Sequence, residues 1–516
     1  MKCLLIDSHW QRAEMGPRLS LGCLASAVRN LVDVEAMEFV LDEEQQAKVK
    51  QKPAVFWTLE QEFLGAVENR VRNDPEILVV GVTGWSGSFP RMLRIAECCK
   101  NGNPRVAVVF GGPHVTLHEK WCPPEQSILK THQAVDFLVL GDGEESFHRL
   151  IRGLLTGSTS CSTRQKLLAM EQPGTLGERA RGQVRVCRRS PGLHWAPFLA
   201  SRPSVRRRVF FVESARGCPH KCTFCDERDV WTRYQRRDVR EIVNEVEHGM
   251  RLFNTRSFRF SDSSLTANPA VASLCEEMVR RDLRARWSAF AHCSEVTARK
   301  AAVLQEAGCR CVLVGVESGE QSVLDAMNKG TTRERIKTAV NVLQSHGIHV
   351  RGSFIIGYPG ETLAQARRTI AFATELGLDA CAWHLYQPPF RLLWARANSR
   401  YPDFAHYELD NPPEVALHVL KRDPALLRDM HALPRLVSLA PDIEPDPTRW
   451  PKRSVGLLHV LQEALSVTGE AGHYDLDLLA AHEPTRYHAP VPATSRMPQP
   501  SRATGLAKAS SVRQQV

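Results

Sequence analysis

The 516-residue chain is 43% hydrophobic and 24% charged, which is typical of soluble globular proteins, and it is too long for a single ordinary core. Its 15 cysteines are spread over this length, which excludes the short, cysteine-dense class of secreted disulfide proteins. The short apolar run at the N-terminus and the lack of an apolar stretch of ~18 residues predict a cytoplasmic protein without a membrane span. The net charge of +10 is compatible with a nucleic-acid partner, but the arginine-rich segments "RARGQVRVCRRS" and "RPSVRRR" contain no aromatic residues for stacking, which favours a solvated linker.

Residues 1–155 predict a doubly wound parallel sheet, an α/β fold of the Rossmann type. Its apolar runs are rich in Val, Ile and Leu and lack two-residue alternation, which is typical of strands buried on both faces. These runs are "CLLID", "VDVEAMEFV", "EILVVGVTG", "RVAVVFGG" and "VDFLVLGDG". Glycines stand where several of the runs end. Because open parallel sheets bind ligands at the carboxyl ends of their strands, we expect a site at these glycine turns.

The remaining chain divides into four parts. Residues 156–207 are rich in Ser, Thr, Gly, Pro and Arg, which predicts an interdomain linker. Residues 208–390 contain six further apolar runs that alternate with helical segments, which predicts a second open sheet or a partial barrel of βα units. We predict a helical region over residues 391–486, in which no motif is found, and a disordered tail over residues 487–516.

Cys218, Cys222 and Cys225 lie in "GCPHKCTFC", directly after the first run of the second series. A zinc site would need a fourth ligand, no second cysteine pair follows at a suitable spacing, and His220 would be a poor substitute. A disulfide would leave one thiol over, and ordinary buried thiols would not explain the glycine and proline at this strand end. Three thiolates fit an iron–sulfur cluster with one iron left open for a substrate or cofactor.

The order of these cysteines after a strand, with Phe224 before the last of them, resembles the signature of the radical S-adenosylmethionine (SAM) enzymes. The resemblance extends over residues 208–388, through "FSDSSLTANP", "GVESGEQSVLDAMNKGTT" and "FIIGYPGET". It implies a partial (β/α)6 barrel and a [4Fe–4S] cluster on the three cysteines, whose open iron chelates SAM. It also implies that an electron donor such as flavodoxin or ferredoxin drives cleavage of SAM to a 5'-deoxyadenosyl radical.

The resemblance assigns the end of the fourth strand to the ribose of SAM. Glu317 and Ser318 are expected to bind the ribose hydroxyls, and Gly315 and Gly319 would let the backbone approach the nucleoside. An ordinary structural role stays open, because tight turns need glycine without any ligand.

Two further turns are assigned to SAM in the same way. Gly357, Pro359 and Gly360 resemble the turn near the adenine, and the alternative is a loop into a helix whose first turn favours Glu361. Ser261 and Asp262 are expected at the amino group of the methionine moiety. The alternative is that Asp262 caps the segment that follows it.

The third strand departs from the family pattern, because "WSAFAHCSE" has Ala291 and His292 where many relatives carry an arginine. The group that neutralises the methionine carboxylate therefore stays open. Arg351 is the preferred candidate since arginine pairs with carboxylates in a fork, but an ordinary surface ion pair explains it equally well.

The segments "GPRLSLGCLASAVR", "VGVTGWSGS", "VVFGGPHVT" and "VDFLVLGDGEESF" together resemble the cobalamin-binding domain that precedes the radical domain in one large subgroup. The resemblance implies a corrin enclosed by the loops at the strand ends, with Glu144 capping the next helix. The cofactor-binding positions that it implies are Thr83, Gly84, Gly111, Gly112, Pro113, His114, Gly141 and Gly143. Asp7, Ser8 and His9 begin the pattern of a histidine that ligates cobalt in some cobalamin proteins, but Arg12 replaces its glycine, so we expect an ordinary loop histidine.

Together the two resemblances predict a cobalamin-dependent radical SAM methyltransferase that acts on a carbon centre of a small-molecule or natural-product substrate. It would use two SAM molecules, one to methylate the corrinoid and one to generate the radical, and both strand edges would face one shared cavity. One alternative keeps the cofactors but catalyses oxidation, cyclisation or rearrangement. A second alternative is a noncatalytic cobalamin or iron–sulfur sensor that engages nucleic acid through its positive charge.

Overall fold

The computed structural model describes residues 1–12, 18–51, 54–85, 88–122, 126–156, 185–187, 209–231, 233–356, 358, 361, 363–385 and 389. All of them belong to one compact unit, Met1–Ala481. The predicted helical region 391–486, the predicted tail 487–516 and most of the predicted linker lie outside the described residues. No helix of the described part is long and apolar enough to cross a membrane.

The N-terminal sheet has five parallel strands in the order β2-β1-β3-β4-β5. The strands are β1 (Lys2–Arg12), β2 (Asp33–Leu41), β3 (Ile77–Thr83), β4 (Ala107–Gly111) and β5 (Phe137–Val139). The helices are α1 (Leu19–Val28), α2 (Glu43–Gln51), α3 (Ala54–Asn73), α4 (Phe89–Gly102), α5 (Pro113–Trp121), α6 (Ile128–Thr131) and α7 (Gly143–Leu155). This order confirms the predicted doubly wound sheet, and it places the change of winding direction between β1 and β3, where such sheets bind ligands.

Both faces of this sheet are buried, as the unbroken apolar runs predict. Leu5, Val79 and Val109 pack on one face, where α1 and α7 lie. Leu4, Val80 and Val108 pack on the other face against α3 and α4. The side chains of the strands are thus used for packing, and the carboxyl ends are left for a ligand.

The second sheet has six parallel strands in the order β14-β13-β12-β11-β10-β7, which confirms the predicted series of βα units. They are β7 (Phe210–Val212), β10 (Ser257–Phe260), β11 (Arg286–Ala291), β12 (Cys309–Glu317), β13 (His349–Ile356) and β14 (Ala380–Leu385). The helices are α9 (Val239–Leu252), α10 (Val271–Arg280), α11 (Ala298–Glu306), α12 (Gln321–Ala326), α13 (Arg333–Ser345) and α14 (Leu363–Glu375), with 3-10 turns at Leu265–Ala267 and Cys293–Glu295.

Alternate residues of these strands face opposite sides of the sheet. Phe258, Trp287, Val312 and Val314 belong to the core formed with the surrounding helices. Residues at the alternate positions of these strands, such as Glu317, therefore face the opposite, inner side of the sheet.

A small three-stranded sheet carries the cysteines. It contains β6 (Arg185–Cys187), β8 (Ala215–Arg216) and β9 (Gln235–Arg237) in the order β6-β9-β8. Strands β8 and β9 are antiparallel, so they close the base of a loop, which we call the cysteine loop, over residues 217–234. The short helix α8 (Glu227–Val230) lies within it. Strand β6 shows that the predicted linker contributes to the fold.

Candidate active site

The cysteine loop is fastened to the segment that follows α12. The Thr223 amide donates a hydrogen bond to the Met327 carbonyl at 2.9 Å, and Asn328 Nδ2 donates to the Lys221 carbonyl at 2.9 Å. The Thr223 hydroxyl lies 2.7 Å from the Tyr358 hydroxyl. These contacts hold the loop over the carboxyl ends of the strands of the second sheet.

Cys218, Cys222 and Cys225 are half-buried and form no disulfide. Burial raises the pKa of each thiol, and that of Cys225 rises to about 12. Such thiols are protonated at neutral pH, which disfavours a nucleophilic role and leaves binding to a cation as the way to stabilise the thiolates. Among the described residues no group of three or more acidic, His or Cys side chains could hold a single metal ion, whereas a cubane cluster accepts each thiolate on a different iron.

A buried ion pair lies beside the cysteine loop. Lys329 Nζ is 2.9 Å from Glu317 Oε1, and the side chains are 6% and 8% exposed. Burial lowers the pKa of Lys329, but the Glu317 carboxylate and the sulfurs of Cys222 and Cys293 together raise it by more, to about 12. Gly315 makes room for the pair, since a Cβ there would lie 2.6 Å from Lys329 Nζ. Glu317 has a φ of 65°, a backbone conformation that costs a non-glycine residue of order 1–3 kcal/mol and is often found at functional sites.

His292 occupies the place where the family pattern has an arginine, and it packs on the cysteine loop. Its ring stacks on that of His220 at a centroid distance of 3.7 Å, and its Nε2 lies 2.9 Å from the Lys329 carbonyl. His292 therefore joins the loop to the segment that carries Lys329.

Asp262 is fully buried and holds the strand that leads into the cysteine loop. Its carboxylate accepts hydrogen bonds from the amides of Ser214 and Ala215, at 2.9 and 2.7 Å, and from the Ser214 hydroxyl. Burial raises the pKa of Asp262 to about 6, against the effect of these bonds. The carboxylate thus holds the preceding strand rather than capping the segment that follows it. The neighbouring Ser261 hydroxyl donates to the Val212 carbonyl at 3.2 Å.

Ser318 and Gly319 face helix α14 instead of the inner side of the sheet. The Ser318 hydroxyl is fully buried and lies 3.0 Å from Thr369 Oγ1, to which the Gly319 amide also donates at 3.0 Å. A Cβ at position 319 would lie 2.6 Å from the Cβ of Phe372. Close packing of α14 accounts for this glycine without a ligand.

The structure does not bring Arg351 to the strand edge. Arg351 is 2% exposed and pairs in register with Leu313, four residues before Glu317, so it lies roughly 13 Å nearer the amino ends of the strands. Gly357, Pro359 and Gly360 lie outside the described residues. The Glu361 amide donates to the Tyr358 carbonyl at 2.8 Å, two residues before α14 begins.

A cavity of about 340 Å³ lies where the edges of the two large sheets meet. The predicted positions that line it from the N-terminal sheet are Thr83, Gly84, Gly111, Gly112, Pro113, Gly141, Gly143 and Glu144. The second sheet and the start of the cysteine loop contribute Phe211, Glu213, Ala215, Arg216, Gly217 and Ser261. Both strand edges therefore share one cavity, as the sequence predicts.

Two glycines in the wall of this cavity stand where a side chain would collide with its neighbours. Gly112 has a φ of 99°, and a Cβ there would lie 2.5 Å from Thr83 Oγ1 and 3.0 Å from the Gly84 carbonyl oxygen. A Cβ at Gly84 would lie 2.7 Å from Ser88 Oγ. Trp85 follows, and its indole is half-exposed beside the bare backbone. A backbone cradle with an exposed flat apolar side chain fits a broad planar ligand such as a corrin.

Two histidines that the sequence singles out do not line the cavity. His114 is fully buried, with its ring centroid 4.1 Å from that of Phe89, and burial lowers its pKa to about 3. It is therefore part of the core below the cavity. His9 lies within β1 rather than in a loop, and it is 7% exposed, whereas Asp7 reaches the cavity.

Sequence reasoning did not assign roles to Lys329, Arg216 or Trp85. Lys329 lies within a quoted motif, Arg216 directly precedes Gly217, and Trp85 directly follows Gly84. Their proximity to the motifs is therefore the sequence feature that could have identified these three residues as candidates.

The family model of the radical SAM superfamily matches residues 212–373, which span β7 to most of α14. Residues 212–373 therefore form a radical SAM domain. The matched part contains the cysteine loop, the Glu317–Lys329 pair and Asp262, so the geometry described above is that of a radical SAM domain.

Two curated relatives of this chain have names of different kinds. An uncharacterized methyltransferase of Pyrococcus horikoshii is 27% identical over 397 residues, which are 74% of this chain and 78% of the relative. The anaerobic magnesium-protoporphyrin IX monomethyl ester cyclase of Rubrivivax gelatinosus is 26% identical over 354 residues, which are 65% of this chain and 61% of the cyclase.

A solved structure resembles this radical SAM protein beyond the matched domain. The radical SAM methyltransferase TsrM from Kitasatospora setae, with cobalamin and a [4Fe–4S] cluster bound, superposes with a TM-score of 0.54 at 20% identity. The match covers 78% of this chain and 79% of that one, so the shared fold includes the N-terminal sheet.

Proposed function

We propose that this radical SAM protein is a cobalamin-dependent methyltransferase that acts on a carbon centre of a small-molecule or natural-product substrate. The observation that carries the proposal is the single cavity lined by the glycine turns of the N-terminal sheet and by the residues that precede the cysteines. A methyl carrier and a radical generator must act on the same substrate atom, so their sites must share one space. The name of the Pyrococcus relative and the cobalamin in the Kitasatospora structure support the same conclusion.

In this proposal Cys218, Cys222 and Cys225 hold a [4Fe–4S] cluster and leave one iron for SAM. When bound, the cluster and SAM supply a 5'-deoxyadenosyl radical, and cobalamin supplies the methyl group. The three thiols suit this role because they are held on one fastened loop and form no disulfide.

Lys329 is the cation that we assign to the methionine carboxylate of SAM, in place of Arg351. It is buried beside the cysteine loop, whereas Arg351 lies nearer the amino ends of the strands. Glu317, on the inner side of the sheet, remains the candidate for the ribose hydroxyls and also orients the Lys329 ammonium. Buried charges that are already oriented bind a ligand without reorganisation.

The Rubrivivax relative favours one alternative, in which the same cofactors serve a cyclisation or oxidation without net methyl transfer. A substrate that gains the mass of a methyl group separates the two reactions. A noncatalytic sensor would bind the cofactors but leave SAM intact. An electron donor such as flavodoxin or ferredoxin is part of either catalytic proposal.

Anaerobic reconstitution with iron, sulfide and cobalamin, followed by assay of 5'-deoxyadenosine and S-adenosylhomocysteine under reducing conditions, tests the proposal. We expect both products from the wild type and no 5'-deoxyadenosine from Cys222→Ala, because the cluster loses a ligand. Cys275→Ala, which removes a buried thiol in α10, is the control and should keep the activity. If Cys222→Ala formed 5'-deoxyadenosine at the wild-type rate, the cluster assignment would be refuted. If the wild type bound no cobalamin, the methyltransferase proposal would be refuted.

A further inference from the structure

Arg216 joins the loop after β5 to the cysteine loop. Its guanidinium lies 2.5 Å from Asp142 Oδ1 and 2.9 Å from Glu144 Oε1, and it stacks 4.9 Å above the centre of the Trp231 ring. The Arg216 side chain is 15% exposed. Arginine bound to two carboxylates and an aromatic face is held in one orientation.

The partners of Arg216 belong to both cofactor sites of the proposed function. Asp142 stands between Gly141 and Gly143, which line the cavity, and Glu144, which also lines it, lies in the first turn of α7. Arg216 itself ends β8 and is followed by Gly217 and Cys218. A single side chain thus spans from the proposed corrin loop to the first residues of the cysteine loop.

The other strand at the base of the cysteine loop binds the same carboxylate. Gln235 is the register partner of Arg216, and its Nε2 donates to Asp142 Oδ2 at 3.1 Å. Both ends of the loop are therefore fixed to Asp142, and a displacement of residues 141–144 must be transmitted to the cysteines.

Opposite charges hold this junction together. Asp142, Glu144 and Glu213 surround Arg216, which also lies 3.4 Å from Glu213 Oε2. An arginine guanidinium is always charged in proteins, so it balances these carboxylates. Without it three carboxylates would repel one another and the two loops would separate.

We propose that Arg216 is a positioning residue that couples the two cofactor sites, so that cobalamin bound against residues 141–144 increases the affinity of the cysteine-loop site for SAM. The inference rests on the proposed function, since it requires both cofactors. By thermodynamic linkage SAM must tighten cobalamin binding by the same factor, and couplings of this kind are commonly about 5–150-fold.

The test measures the dissociation constant of SAM on the reconstituted protein with and without hydroxocobalamin. The cluster is kept oxidised so that SAM is not cleaved. We expect cobalamin to tighten SAM binding at least about 5-fold in the wild type, and Arg216→Gln to bring this ratio close to 1. Asp142→Asn weakens the same contact from the N-terminal sheet and should lower the ratio too, and the double variant should show no further loss.

Arg281→Gln is the matched control. Arg281 is 18% exposed and pairs with Glu277 and Glu247 between α10 and α9, away from the cavity, so its loss should leave the ratio unchanged. Iron content and unfolding temperature report whether each variant folds. If Arg216→Gln does not fold, the ratio measured for Asp142→Asn tests the coupling instead. A wild type that binds both cofactors without mutual effect, or an Arg216→Gln variant with the wild-type ratio, would overturn the coupling alone. A wild type that binds no cobalamin would overturn the proposed function as well.

Discussion

Lys329 supplies a buried positive charge next to the cysteine loop. We expect Lys329→Met to raise the dissociation constant of SAM at least ~10-fold, about 1.4 kcal/mol, because the methionine carboxylate loses its counter-charge. Lys329→Arg should keep part of the affinity. Titration calorimetry on the reconstituted, oxidised protein measures the effect.

The pKa of Lys329 fixes the pH dependence of that contribution. Its folded pKa of about 12 is raised above the ordinary 10.5, so the favourable charge is fully present below pH 10.5 and is lost only as pH rises through 12. We therefore expect the difference between wild type and Lys329→Met to stay constant over about pH 6–9. Lys337→Met, on the outer helix α13, is the control. An unchanged SAM affinity in Lys329→Met would show that another group binds the carboxylate.

Single residues also show where sequence reasoning reaches its limit. The spacing of Cys218, Cys222 and Cys225 indicates the cluster because three thiols and an absent fourth ligand leave few alternatives. Ser318 and Gly319 belong to an equally specific motif, yet the structure turns them toward α14. A sequence motif indicates that a residue type is required at a position. It does not indicate whether the requirement comes from ligand binding or from packing against a neighbouring helix.

At the scale of elements, the turn between β4 and α5 shapes the cavity wall. We expect Gly112→Ala to destabilise the protein by roughly 1–3 kcal/mol, since alanine is strained at a φ of 99° and its Cβ would lie 2.5 Å from Thr83 Oγ1. Cobalamin affinity should fall, while cluster content and SAM cleavage are retained. Absorbance of bound cobalamin and iron analysis measure the two effects.

Gly65 provides a control of opposite sign. It lies within helix α3, and a Cβ there would meet nothing within 4 Å. Gly65→Ala should therefore stabilise the protein by about 0.5–1 kcal/mol and leave cobalamin binding unchanged. Cobalamin affinity that is retained equally in both variants would show that the wall of the cavity tolerates a side chain at position 112.

Strands that carry an apolar run were predictable from the sequence, including the three-residue β5 and β7, and the strands of the small sheet were not. The unbroken apolar runs of β3 and β12 identify buried parallel strands, because no other element of that length needs both faces apolar. Strands β6, β8 and β9 have two or three residues and carry no periodicity. They form because the ends of the cysteine loop pair with each other and with residues 185–187, which is a tertiary effect.

At the scale of the whole molecule, the contact between the two halves that contain the large sheets could not be predicted from the sequence of either half alone. Leu117 and Val230 are 3% and 4% exposed and form a small apolar cluster between α5 and α8, beside the ion pair of Lys120 with Asp229. Each residue looks like an ordinary helix position in its own segment. Their burial follows only from the meeting of two folded units.

This apolar cluster should make ligand binding on one sheet stabilise the other. Cobalamin at 100 times its dissociation constant stabilises the folded chain by about 2.7 kcal/mol, and we expect hydrogen exchange to show protection of amides in both sheets of the wild type. Leu117→Ala should cost about 2–5 kcal/mol and confine the protection to the N-terminal sheet, because the halves then open separately. Leu129→Ala removes a side chain buried in the N-terminal core alone, so it should destabilise the chain yet keep protection in both sheets. Protection that still reaches β10 to β12 in Leu117→Ala would mean that other contacts, the shared apolar core and the ion pairs of Arg216 and Lys120, are sufficient to couple the two sheets.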